Sequence, residues 1–432
     1  MMRRTWLPRR LATLSCALAC AWSLQATAEE PEPPRGVLQD SAPTTEDRVF
    51  DHWLRHGREL ASIRAKIGEA QFDVITAAVW PNPTLSVSGA YLLSGANTNG
   101  ESSVGPQLTF PVPIFGQVGM RKDEATANLR VTEVEVLEEV WERAAEVESA
   151  MLDRAFADAE ADAVEKNLGE LERIERIVAT RASAGANSVY DTLRVRTTVS
   201  TFRAQLATAI TERERAEAKL VSLIAVPGLK TAPVKRDGLL DFRGPEDESA
   251  LLGLARARRP DLELARRGVV AAEASSARYR REVAPIPSIS VGPYFSHAPS
   301  SVSLQLSVSV PLPAFDRNRG QIGHALAAAE GQRALTEAIE QRIEVEVHGA
   351  WQARQRAREA LIAFRDNGLK ATGELLARAE VSYQAGTFAI LDLLDAYRAV
   401  WEARAQDLEL EKAFAEAEAE LEHAAVLLPI SR

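Results

Sequence analysis

The sequence predicts a mainly α-helical chain with a small membrane β portion. Two halves share the order helix, strand, strand, very long helix, return helix. Three observations lead there: the chain is written twice, its short strands alternate apolar and polar residues, and its helices run too long for a globular core. Composition agrees. The 432 residues hold 51 Lys+Arg against 61 Asp+Glu, a formal charge of −10, with 46% apolar and only 6% aromatic residues. An acidic chain lacks the basic stripe that nucleic acid requires. No apolar run reaches the roughly 18–20 residues of a membrane-spanning helix.

Residues 1–28 read as a signal peptide: Arg3, Arg4, Arg9 and Arg10 precede an uncharged stretch over 11–24 and the small-x-small Ala26-Thr27-Ala28. Its removal takes four arginines and no acid, so −10 becomes about −14. Both cysteines, Cys16 and Cys20, leave with it, which excludes disulfides, thiolate metal sites and cysteine catalysis. Cys20, after Ala17-Leu18-Ala19, is a near match to a lipidation box. Residues 29–45, with Pro31, Pro33, Pro34 and Pro43, are expected to form a flexible tail.

The first half covers 46–226 and the second 246–428, with an equatorial linker at 227–245. Val79-Trp80-Pro81-Asn82-Pro83-Thr84-Leu85-Ser86-Val87 returns as Val283-Ala284-Pro285-Ile286-Pro287-Ser288-Ile289-Ser290-Val291. Strands are expected at about 84–92, 104–112, 287–295 and 302–310. In Val302-Ser303-Leu304-Gln305-Leu306-Ser307-Val308 every second residue is apolar, one face for lipid and one for water, over the length a tilted strand needs to cross a bilayer. Long helices are expected over 120–183 and 323–384, returning over 189–225 and 389–427, and one further helix over 249–282 leads into the second strand pair. Leu137, Val140, Ala144, Val147 and Met151 mark one seam, and Ile343, Val347, Ala350, Ala353 and Ala357 its counterpart. Four strands cannot close a barrel in lipid, where every backbone group must pair, so several copies must pool them.

In these features the chain resembles the TolC-type outer membrane efflux factors, over nearly its whole mature length. The resemblance rests on the doubled order, the Pro-x-Pro pairs and Tyr383-Gln384-Ala385-Gly386 with Asp392-Leu393-Leu394-Asp395-Ala396. Trp80-Pro81-Asn82-Pro83 and Val310-Pro311-Leu312-Pro313-Ala314-Phe315-Asp316-Arg317-Asn318-Arg319-Gly320 are similar to the heavy-metal, cobalt-zinc-cadmium branch. The resemblance implies a homotrimer in the outer membrane, with a twelve-stranded barrel and an α-helical tunnel through the periplasm. It also implies a periplasmic adaptor, a proton-driven inner-membrane pump of the resistance-nodulation-division type, no cofactor and no chemistry of the channel's own. The cargo so implied is heavy-metal cations, with drugs or secreted proteins as the alternative.

By the same resemblance Asp392, Asp395 and Asp191 line a constricted periplasmic tip, where rings of carboxylates favour cations. The plain alternative is helix N-terminal charge. Arg194 stands where the second half has Asp395, and is expected to pair with a neighbouring copy's Asp392 or Asp395. Tyr383 falls at a gate position, or simply packs. Phe388 replaces an arginine some relatives carry. Gly185 and Gly386 sit in the tip turns, as helix C-terminal caps and as adaptor-docking points. His52 and His56 are spaced i, i+4 without a third ligand and are expected to face solvent. Glu133, Glu135, Glu138, Glu139, Glu142 and Glu146 are expected on a solvated face. No nucleophile elbow, phosphate loop or zinc signature is present, so an exported enzyme is a weak rival. A periplasmic adaptor also has long helical hairpins but lacks two strand pairs in a doubled chain.

Overall fold

The computed structural model describes residues 46–427 except 92, 94–101, 184–187, 225–241, 243 and 298–299. The expected signal segment, the tail, nearly all of the linker and Gly185 lie outside the described residues. The described elements are α1 (Glu46–His56), α2 (Arg58–Ala78), β1 (Thr84–Tyr91), β2 (Ser102–Pro111), α3 (Gln117–Ser183), α4 (Val189–Ile224), α5 (Glu248–Arg258) and α6 (Pro260–Glu282). There follow β3 (Ser288–His297), β4 (Ser300–Ser309), α7 (Arg319–Phe364), a π turn (Arg365–Leu369), α8 (Lys370–Gln384) and α9 (Ile390–Ala424).

The four strands form one antiparallel sheet in chain order β1-β2-β3-β4. Its register puts like with like. Leu85 faces Leu108, Leu108 faces Val291 and Val291 faces Leu306, an apolar row across the sheet. On the other face, Thr109 and Ser290 share a hydrogen bond of 2.9 Å and the Gln107 amide donates to Ser307. Between β2 and β3 the ladder lapses from Val104↔Phe295 to Leu108↔Val291. There Pro106 and Pro293 stand opposite each other, neither with an N–H to give. Gly292 fills the gap; a Cβ there would lie 2.1 Å from the Pro106 carbonyl oxygen.

Helix α3, 67 residues long, packs along α2, α4, α6 and α9. It starts before the expected residue 120 because Gly116, at φ 80°, turns the chain and Gln117 locks the corner. Its side chain accepts from the Phe115 N–H and donates to the Ala284 carbonyl. Asn318, at φ 54°, plays the part of Gly116 before α7. Asp316 accepts its N–H, and its own amide donates to the Tyr279 carbonyl.

Two expected helices are interrupted. The helix over 249–282 breaks at Arg259–Pro260, because Pro260 has no N–H and its predecessor is driven to extended ψ (122°). Buried Arg259 uses that break to grip Asp261 (2.9 Å) and Glu346 of α7. The helix over 323–384 carries a π turn at Arg365–Leu369. Arg365 there reaches Asp407 (2.7 Å) and Glu411 (2.6 Å) on α9, and the ring of Phe364 covers Gly368.

The seams also shift. Leu137 is exposed, and Val136 and Trp141 fill the core in its place beside Ala144, Val147 and Met151. In the second half the buried row runs Ile343, Val347, Ala350, then Arg354 and Leu361; Ala353 is exposed and Ala357 only half-buried. Arg354 is tolerated inside because Glu418 of α9 and Glu246 hold its guanidinium (3.1 and 2.8 Å) and Phe242 stacks on it (4.1 Å). His52, expected in solvent, is buried instead, its ring 4.8 Å from that of exposed His56; burial lowers its pKa. Glu139 and Glu146 of the acidic stretch pair with Lys66 and Arg143, whereas burial raises the Glu138 carboxyl above its usual range.

Gly292→Ala, whose new methyl meets backbone, should cost at least about 2 kcal/mol, while Gly169→Ala, in open space inside α3, should gain about 0.5–1 kcal/mol. Thermal unfolding of the detergent-solubilised protein reads both. Burial pushes the Glu418 carboxyl up to about 7, against the pull of Arg354. The folded chain then holds a proton there that the unfolded chain has lost, so this group's stabilisation is full below pH 4.5 and disappears as pH rises through about 7. Glu418→Gln should therefore reduce the fall in melting temperature between pH about 5 and about 8.

Candidate functional site: channel wall and helical tips

The sheet offers two chemically opposite surfaces. Leu85, Val87, Val302, Leu304, Leu306 and Val308 are all exposed on one face. The other presents Thr84, Ser86, Ser88, Gln107, Thr109, Ser303, Gln305 and Ser307. The described strand residues include no Asp, Glu, Lys or Arg. A surface of hydroxyls and amides is wetted by water but holds no ion strongly; the apolar one suits lipid. Among the described residues the outer strands β1 and β4 each have a partner on one side only, which leaves their outward backbone groups to be paired from outside the sheet.

At the opposite end lie the helix turns. α8 ends in a Schellman motif: the Gly386 N–H donates to the Tyr383 carbonyl and the Thr387 N–H to the Ser382 carbonyl (3.1 and 2.9 Å). Gly386 sits at φ 75°, where a side chain is strained. Asp392 then accepts the Ala389 N–H (2.9 Å) at the start of α9. Asp191 does the same for Ser188 (3.2 Å), whose hydroxyl in turn accepts the Tyr190 N–H (3.0 Å), so that the two side chains cap the start of α4. Both aspartates thus hold helix N-termini in the single protomer.

Asp395 is exposed and not engaged in capping. It lines a cleft of about 730 Å³ between α4 and α9, together with Tyr190, Arg194, Arg398, Trp401 and Glu402. Among the described residues Arg194 reaches only the Tyr190 hydroxyl, at 3.4 Å. The structure therefore brings Arg194 and Asp395 into one cleft of the same copy, without an ion pair between them among the described residues. Tyr383 is 8% exposed, packed among Val178, Leu393 and Tyr397, with the Arg181 guanidinium 5.0 Å from its ring. Phe388 is exposed at the turn. Tyr397 donates to Glu380 (2.6 Å), and burial followed by that contact pushes its pKa up to about 12. Sequence reasoning passed over Arg398 and Glu402, although their spacing of three and seven from Asp395 puts them on its helix face.

With the geometry in place, the likeness to known proteins is extensive. The sequence pattern of the outer membrane efflux protein family matches residues 50–226 and 251–425. The cobalt-zinc-cadmium resistance protein CzcC of Cupriavidus metallidurans is 24% identical over 431 residues, covering 93% of this chain and 94% of that protein. The cation efflux system protein CusC of Escherichia coli K12 is 24% identical over 81% of this chain and 79% of its own. The pyoverdine export outer membrane protein OpmQ of Pseudomonas putida is 25% identical over 57% and 53%. A crystal structure of CusC superimposes with a TM-score of 0.72 over 88% of this chain and 91% of that one, at 22% identity, which speaks for the fold. The two matched segments are the two halves of the doubled chain, and the chain belongs to the outer membrane efflux protein family. Its strands accordingly sit in the outer membrane, and its helices extend into the periplasm as the wall of an efflux channel.

If the tip aspartates cap helices, Asp392→Ala and Asp191→Ala should each lower stability by about 1 kcal/mol, and Asp395→Asn should leave it unchanged. Melting curves of the three variants in one detergent check this.

Proposed function

We propose that the chain is the exit duct of a tripartite efflux system, assembling as a homotrimer whose twelve strands close a barrel and whose helices enclose a water-filled tunnel. The observation that supports this best is the sheet: apolar on one face, neutral and hydroxylated on the other, and open at both edges. Such a sheet is stable in lipid only when identical sheets complete the ring. The duct does no chemistry. A periplasmic adaptor, docking at the tip turns of Gly185 and Gly386, and a proton-driven inner-membrane pump of the resistance-nodulation-division type supply substrate and energy.

Heavy-metal cations are the cargo this reading favours, following the extensive likeness to CzcC and CusC. Since the described strands carry no charge, discrimination belongs at the periplasmic tip. There the copies of Asp395, with Asp392 and Asp191 at the helix starts, form a ring that concentrates cations. Arg194 of one copy pairs with Asp392 or Asp395 of the next and holds the entrance narrow, with Tyr383 packed behind it. The likeness to OpmQ supports a second reading, in which the same duct carries organic compounds.

Single-channel recording tests the tip. Asp395→Asn should lower the cation-to-anion permeability ratio severalfold, and Arg194→Ala should raise conductance of the closed state; no change in either contradicts the assignment. A deletion strain complemented with the gene and challenged with cobalt, zinc and cadmium tests the cargo.

A further inference from the structure

We infer that the outer surface at the junction of strands and helices is a binding collar for anionic phospholipid headgroups of the periplasmic leaflet, centred on Arg280, Arg281 and Arg319. The inference rests on the outer-membrane reading of the sheet and adds a lipid ligand to it.

The handedness of the chain shows which way these arginines face. Consider the sheet with its apolar face forward and the ends that continue into helices pointing down. In a descending strand of L-residues, a side chain pointing forward leaves its N–H pointing left. Val112 continues the apolar row of β2, and its N–H donates to the Pro287 carbonyl (2.7 Å). β3 therefore lies left of β2, and the helices below stand from left to right as α7, α6, α3, α2, the order their packing also gives.

On ascending α6, Leu262 and Ala265 share a buried cluster with Ile339 and Ile343 of α7 to the left, where Glu273 also pairs with Arg333, and Arg278 reaches right to Glu124 of α3 (2.9 Å). The front of a right-handed helix rises from left to right. Buried Ser276 lies in the row of Ala265, so Ala277, Arg280 and Arg281 come to the front. They share a shallow recess of about 470 Å³ with Met120 of α3 and Leu326 of α7. By the same reckoning Arg319, two turns before Leu326, faces front at the start of α7. The arginines are thus on the lipid side of the sheet, in the last turn of α6 and the first turn of α7, the helix ends that adjoin β3 and β4.

Charge and apolar surface there match a lipid interface. Arg280, Arg281 and Arg319 are exposed and make no ion pair among the described residues. Of the nearby acids, Glu273 lines the recess but is paired with Arg333, Asp316 accepts the Asn318 N–H, and Glu282 is half-buried. Leu312 (81% exposed) and Phe315 (103%) lie between the last apolar residue of β4 and Arg319. Apolar side chains followed by unpaired arginines are what the boundary between acyl chains and phosphates accommodates.

The test uses the full assembled protein in neutral detergent, titrated with phosphatidylglycerol or phosphatidylethanolamine, with bound lipid counted by native mass spectrometry. The parent should prefer phosphatidylglycerol. Arg280→Gln/Arg281→Gln/Arg319→Gln should lose that preference, about fivefold for each arginine removed, and the matching lysine triple should keep it. Equal binding of both lipids by the parent, or a glutamine triple that binds like the parent, overturns the proposal. Should the glutamine triple not assemble, Arg281→Gln alone must still weaken phosphatidylglycerol binding. Conductance in neutral bilayers separates the two readings: a parent that conducts without lipid preference sinks the collar alone, and a parent that never conducts sinks the channel.

Discussion

The rest of the structure depends on the backbone hydrogen bonds that the two outer strands cannot make within one copy. In water an open edge is tolerable, because water satisfies it. In hydrocarbon each unmet N–H or C=O costs several kcal/mol, so a sheet of four cannot stay open. The neighbour that closes β1 and β4 must also bring its helices alongside, because each strand continues directly into a helix of the body. The length of α3 has the same origin: a wall is stabilised along its sides, and needs no globular core to bury its ends.

The two ends of the wall divide the physical tasks. The strand end is neutral, wetted by serine, threonine and glutamine, and indifferent to the charge of what passes. The helical end concentrates ionisable groups at turns whose shape is set by Gly386 and by the capping contacts of Asp191 and Asp392. Those two carboxylates are occupied in holding helices and Asp395 is not, so the three aspartates are unequal. Between the ends, buried arginines tie neighbouring helices together beside their apolar seams. Arg259 bridges the α5–α6 break to α7, and Arg354 ties Glu246 to α9.

Much of the fold was legible because its signals repeat. Strand alternation over Val302–Val308, the Pro-x-Pro pairs and the uninterrupted helical pattern of α3 each appear in both halves, so a chance pattern in one is checked by the other. What escaped was local and tertiary. The break at Pro260 was written in the sequence, but it was overridden by the strong helical pattern on both sides. The π turn at Arg365 has no local signal; it answers to Asp407 and Glu411 on another helix. Arg354 in the core and the burial of His52 on α1 were hidden because burial of a polar group depends on partners distant in sequence. The cleft holding Arg194 and Asp395 was illegible for the same reason, since it needs α4 and α9 side by side.

The mass of the purified protein in detergent tests the central claim most directly. The account predicts a stable trimer that requires detergent or lipid to remain in solution. A monodisperse, detergent-free single chain with β1 and β4 solvated by water would contradict it.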